Sequence, residues 1–370
     1  TIGMNGAYTI NTALPTNGTN FASITEAVTA LTTNGICGAV EFSIASGTYN
    51  ERILLPQIKG SSAANTLLFQ SATGNPADVI IQKDWKTLML EGVDYVSFKN
   101  LTLKSTGTTS SYVVTIDKSS THMTFEGNIL TGYNGTSSAA TCSLVFSETL
   151  STAPSTCDSH ITFRSNRFIY GSHAILFDGD NSSFVEEGIV IENNSFENQF
   201  SCSISLSDQL VTIKSNTFTG IGMYGIYLSG SRSQGIIEGN TIKLHSRTLT
   251  KGIQLVGVNG NTTDNFGSVS NNLIVTTLMG ISNTSSYGFN ILHNSVNIIG
   301  TDTTSAAFHW KSNSSDDIQL NVQNNIFVNS AGGYVYNLDV ACRYNGLCMF
   351  NSNFNNLYTT GRTFVKHYCY

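Results

Sequence analysis

The chain has 370 residues and a net charge of −6, and only 11% of it is Asp, Glu, Lys or Arg, where a globular domain ordinarily carries about a quarter. With 40% hydrophobic residues it is too apolar and too weakly charged for intrinsic disorder. It has no basic run that would hold nucleic acid, and no apolar stretch long enough to span a membrane. Gly, Asn, Ser and Thr abound while Pro occurs only 4 times, a composition of short strands and turns rather than of long helices.

Residues 1–20 read as an extended segment that contains a strand-like AYTI at 7–10. Residues 21–34 predict an amphipathic helix, with Phe21, Ile24, Val28 and Leu31 on one face and Asn34-Gly35 as its stop. Such a helix, placed before a run of strands, would cap the open end of a stack. From there to residue 370 one self-similar unit recurs, and a single domain is expected over 21–370.

The repeat is carried by asparagines embedded in apolar residues: Asn100, Asn128, Asn166, Asn194, Asn216, Asn240, Asn272, Asn294, Asn325 and Asn353, at intervals of 22 to 38 residues. A 22-residue period is too short for a helix pair and fits one coil of a solenoid made of short strands. The chain therefore holds roughly 11–12 coils of an all-β fold. Stacking at about 4.8 Å places equivalent residues in columns. Asn suits a column because it enters the left-handed turn conformation readily and its amide both donates and accepts. Like charges in register repel, so the low charge content follows from the architecture.

The best cluster of charges with no assigned role lies between 158 and 192, where His160, Arg164, Arg167, His173, Asp178, Asp180, Glu186, Glu187 and Glu192 fall. Asp178 and Asp180 lie on one side of an extended chain, and with Arg164 or Arg167 they are candidates for glycosidic chemistry or for holding Ca2+. Solvated loop charges are the competing reading. Tyr224 and Tyr227 are candidates for stacking on sugar rings, with packing in an aromatic column as the alternative. The 7 cysteines suggest an oxidising, extracellular setting. Cys142 and Cys157 would close the longest interval by a disulfide, and Cys342, Cys348 and Cys369 would tie down the C-terminal part. No spacing matches a zinc site, so no structural metal is expected.

The segments GICGAVEFSIASGTYNERILLP (35–56), NTLLFQSATGNPADVIIQ (65–82), DYVSFKNLTL (94–103), NNIFVNSAGG (324–333) and SNFNNLYTTG (352–361) resemble secreted right-handed parallel β-helix proteins of the pectate-lyase-like superfamily. Most of all they resemble the modular cell-surface β-helix proteins of bacteria. The resemblance implies a right-handed parallel β-helix and a secreted, cell-surface location. The motifs of the superfamily's enzymes are missing: there is no QDT turn, no D-F-I-F-G strand, no G-H-G or R-I-K, and only the adjacent pair Asp316-Asp317 matches the hydrolases. The expected function is therefore structural or adhesive, with end-to-end self-assembly into a fibre through residues 7–10, or a polysaccharide, as the partner. A polysaccharide lyase or hydrolase is the alternative.

Overall fold

The computed structural model describes residues 3–148, 158–179, 186–207, 209–230, 234–258, 267–312, 318–340 and 348–368. Two compact units divide the chain, Thr1–Ser195 and Phe196–Tyr370. Each is built from one repeated coil, and the inter-coil strand pairings among the described residues are parallel. In the first unit one coil runs through strands Thr121–Glu126, Ile129–Thr131 and Val145–Glu148, and the next through Ser159–Arg164, Arg167–Ile169 and His173–Asp178. Each strand pairs with its counterpart one coil on. Three sheets result, called here first, second and third in the order in which a coil visits them. Among the described residues the third sheet has five strands in the first unit and, described by itself, seven in the second.

Period-2 alternation decides which residues enter the core. In the first unit Phe42, Phe69, Phe98, Phe125 and Phe163 occupy one inward position of successive first-sheet strands and are fully buried. Their rings stack with centroids 4.9, 5.4, 5.4 and 5.1 Å apart. Each such burial contributes roughly 1.5–3 kcal/mol, and the offset stacking adds about 0.5–1.5 kcal/mol per pair.

The corner between the first and second sheets carries the asparagines. Asn128, Asn166, Asn194, Asn216, Asn240, Asn272, Asn294 and Asn325 are buried there. Asn166 shows the bonding. Its Oδ1 accepts the backbone N–H of Asn128 at 2.9 Å and the Asn128 Nδ2 at 3.1 Å, while its own Nδ2 donates to Asn194 Oδ1 at 3.0 Å and to the Phe125 carbonyl at 2.8 Å. The left-handed turn conformation is not adopted by these asparagines, as the sequence suggested, but by the residue before each: Gly127, Ser165, Asn193, Ser215 and their equivalents have φ between 55° and 66°. That separation of roles corrects the column at both ends. Asn100 is itself the left-handed residue, φ 54°, and Leu101 takes the inward position after it. Asn353 precedes the left-handed Phe354, and Asn355 is the residue that bonds to Asn325.

The N-terminal helix spans Ile24–Asn34 and buries Ile24, Ala27 and Leu31; Phe21 lies in a short strand ahead of it, and Ala27 rather than Val28 completes the buried face. Ser23 caps it through the Glu26 N–H, the Glu51 carboxylate accepts from the Ile24 and Thr25 N–H groups, and Gly35 with φ 66° ends it. Residues 7–10 belong to the strand Met4–Ile10, which inserts into the first sheet. It pairs with Ile36–Ile44 along one side and with Asn20–Phe21 at Thr9 and Ile10 on the other. The N-terminal segment is thus part of the β-helix rather than an extension before it. None of the helices among the described residues is long and apolar enough to cross a membrane.

Candidate functional site

The charges between 158 and 192 do not gather into one site, because one coil visits three faces within that span; they meet only in separate pairs. Arg164 sits on the outer side of the first sheet, where its Nε meets Glu192 Oε1 at 2.6 Å. It belongs to a column in which Lys99, Glu126, Arg164 and Glu192 succeed each other in register, and Lys99 pairs with Glu126 at 3.3 Å. Alternating signs remove the repulsion that like charges would create. Arg167 opens a second-sheet strand, exposed. Asp178 ends a third-sheet strand, also exposed, and Asp180 lies outside the described residues, as do Asp316 and Asp317. His160 stacks on His122 with centroids 4.6 Å apart. His173 is largely buried, which lowers its pKa to about 4.

Glu186 is buried at the corner before the first sheet, where its Oε1 accepts the N–H of Asp158 at 3.1 Å. Asp158 in turn accepts the Ser120 N–H and the Ser147 hydroxyl. Burial above all, with Glu186 and Asp117 adding to it, raises the Asp158 pKa to about 7. These carboxyls serve backbone groups of the interior. No group of three or more His, Cys, Asp or Glu that could hold a metal ion occurs among the described residues. Cys37, Cys142 and Cys202 are free thiols, Cys142 buried with its Sγ toward the Thr109 carbonyl. Cys157, Cys342 and Cys369, and the side chain of Cys348, lie outside the described residues.

Convergence is found instead on the outer side of the third sheet in the second unit. Tyr227, Gln254, Ser282, His309, Asn337 and Lys366 stand in register, one from each successive coil. The first five lie between inward residues, as Tyr227 does between the fully buried Ile226 and Leu228; Gln254 and Ser282 are themselves buried, while Tyr227, His309 and Asn337 are half-buried. Beside this row Lys251 Nζ donates to Gln254 Oε1 at 2.9 Å and lies 5.6 Å from the Tyr224 ring, which meets Tyr227 edge-on at 5.6 Å. Ser282 Oγ is 3.0 Å from His309 Nδ1. Further along, Lys366 Nζ lies 5.4 Å from the Tyr334 ring.

The row is partly withdrawn from water, and its ionisation responds. Burial raises the Tyr227 pKa and lowers that of Lys251. Burial, with Lys251 next, lowers His309 to about 4, so its imidazole is neutral at pH 7. The face thus combines aromatic edges, amide and hydroxyl groups and lysines, repeated at the coil spacing of about 4.8 Å. Tyr224 and Tyr227 were the members visible in the sequence. The others share no residue type, and only Gln254, His309 and Asn337 sit in the middle of an apolar-x-apolar triplet such as Phe308-His309-Trp310.

Residues 87–265 match the family model for the right-handed beta helix region, and the chain is a right-handed parallel β-helix protein. The Dettilon tailspike protein is similar in structure, with 10% identity and a TM-score of 0.53 over 94% of this chain and 67% of the other. So are a GH136 lacto-N-biosidase from Eubacterium ramulus, with 11% identity and a TM-score of 0.51 over 95% and 68%, and a mannuronic-acid-specific polysaccharide family 6 lyase from human gut microbiota, with 14% identity and a TM-score of 0.50 over 88% and 82%. At these identities the likeness is one of fold. A search of curated protein sequences finds no match.

Proposed function

We propose that this protein is an extracellular, non-catalytic binding module that holds an extended polysaccharide along the third sheet of its second unit. The observation that carries this reading is the in-register row Tyr227–Gln254–Ser282–His309–Asn337. A linear glycan presents hydroxyl groups and apolar ring faces, and the half-buried Tyr227, His309 and Asn337 offer it polar groups at alternate or neighbouring coils, while Gln254 and Ser282 are buried in the same row. Tyr224 and Tyr227 supply stacking surface. The lysines favour an acceptor-rich chain but stand apart as point charges. One structural neighbour is named for a polysaccharide substrate, which accords with the reading.

Glycan arrays followed by calorimetry on the best polysaccharide test it. The double substitution Tyr227→Ala with Asn337→Ala, both half-buried, is expected to weaken binding at least tenfold while the melting temperature stays within a few degrees. Undiminished binding by that variant overturns the site. The clustering of three perturbed groups, Tyr227, Lys251 and His309, favours a second reading, that of a polysaccharide-cleaving enzyme. Appearance of new reducing ends or unsaturated products, abolished by His309→Gln, would establish it in place of the first.

A further inference from the structure

The loop joining the second-sheet strand Thr241–Leu244 to the third-sheet strand Lys251–Val256 carries Arg247. Its guanidinium carbon lies 3.8 Å from the centroid of the Phe200 ring. At that distance the guanidinium rests against the ring, and cation–π attraction holds it there. Otherwise Arg247 contributes only its carbonyl, which accepts the Thr277 hydroxyl at 2.8 Å. Among the described residues its guanidinium N–H groups meet no acceptor. The loop beneath is anchored by the buried pair Thr250 and Thr277, each of whose hydroxyls accepts the other's backbone N–H, at 2.9 and 3.1 Å.

Arg247 lines an open depression of about 480 Å3 together with His245, Ser246, Thr248, Thr301 and Asp302. The walls offer hydroxyl donors and an imidazole. Asp302, the carboxylate among them, has its Oδ1 engaged by the Thr304 N–H at 2.8 Å and hydroxyl at 2.7 Å, and it forms no ion pair with Arg247. A cation with its donors unspent, its orientation already fixed by a ring, and hydroxyls around it matches the needs of an oxyanion, which takes two parallel N–H bonds from a guanidinium and further bonds from hydroxyls. Because the side chain is immobilised before binding, less rotamer entropy is lost on association.

We infer that this depression is an oxyanion-binding site, taking a carboxylate, sulfate or phosphate group through Arg247. It lies in the loops rather than on the third-sheet row, and it stands whether or not that row binds a glycan. The source of the anion is either a free ion or a sugar substituent.

Titration calorimetry of the full chain with sodium sulfate, phosphate and acetate, and with glucuronate and glucose 6-sulfate, tests the assignment. At least one of these probes is expected to bind with 1:1 stoichiometry at low ionic strength. Tighter binding of the sugar acids than of the bare ions would identify the source as a glycan substituent, and equal binding as the free ion. Arg247→Gln should abolish the signal. Phe200→Leu, which keeps the charge but releases it, should weaken binding by about threefold or more, the scale of an exposed cation–π contact, and Asp302→Asn should strengthen it. Thermal melts confirm that each variant is folded. Binding unaffected by Arg247→Gln, or no binding of any probe up to tens of millimolar, overturns the inference.

Discussion

Two corners of the first unit meet the same demand in opposite ways. Where the first sheet turns into the second, Asn128 and Asn166 accept a backbone N–H from the coil before and return a donor to a carbonyl and to the next amide. Where the third sheet leads into the first, Ser120, Asp158 and Glu186 accept the same kind of backbone N–H, but carboxylates have nothing to donate. A column of amides satisfies itself without charge. A column of buried carboxyls must retain a proton, which is why Asp158 titrates near pH 7. The outer face offers a third solution, with alternating signs in contact with water.

Exchanging the two chemistries is the sharpest way to break this contrast. Asn166→Asp would place a carboxylate against the Phe125 carbonyl and Asn194 Oδ1, each of which loses the Nδ2 donor while Asn194 Oδ1 keeps the Asn166 backbone N–H. A loss of roughly 3–5 kcal/mol at pH 8 is expected, as for an uncompensated buried charge, and the loss should shrink toward pH 4 as the carboxyl protonates. Urea unfolding at the two pH values measures it, and an equal loss at both would show that charge is not the cause.

The reverse exchange, Asp158→Asn, should stabilise. The folded state holds the Asp158 proton up to about pH 7, whereas the unfolded carboxyl releases it near pH 4. Between these values the folded state binds more protons, so the parent loses stability as pH rises. The variant's advantage should therefore grow from pH 4 to pH 7 and then level off, reaching about 1–3 kcal/mol. Thermal melts across that range decide it, and a constant difference would place the strain elsewhere. Smallest of all is Arg164→Gln, which removes a water-exposed ion pair. It should cost less than about 1 kcal/mol, and less still in high salt. A loss of glycan binding in that variant would return Arg164 to a functional role.

The inner columns were legible in the sequence because stacking demands the same residue once per coil, and a recurring Asn in an apolar frame satisfies that at any insertion length. The ends differ by one and two positions: Asn100 is itself the left-handed residue next to the ladder, and Asn353 lies just before the left-handed Phe354, two residues ahead of the ladder residue Asn355. The 158–192 cluster misled for a complementary reason. Residues close in sequence are spread around a coil, so Arg164, Arg167 and Asp178 occupy three different sheets.

The row that does converge is composed of residues 27 or 28 positions apart from Tyr227 to Asn337, and no two of them are of one type. Nothing local links them. By itself, the sequence determined the coil, its repetition and its neutral interior, because those follow from period-2 burial and from the compatibility of each residue with copies of itself. Which outer residues share a face was decided by loop lengths between strands, and these set the register only when coils stack. The tertiary structure alone therefore put Lys251 against Gln254, His309 beside Ser282, and Arg247 on the ring of Phe200.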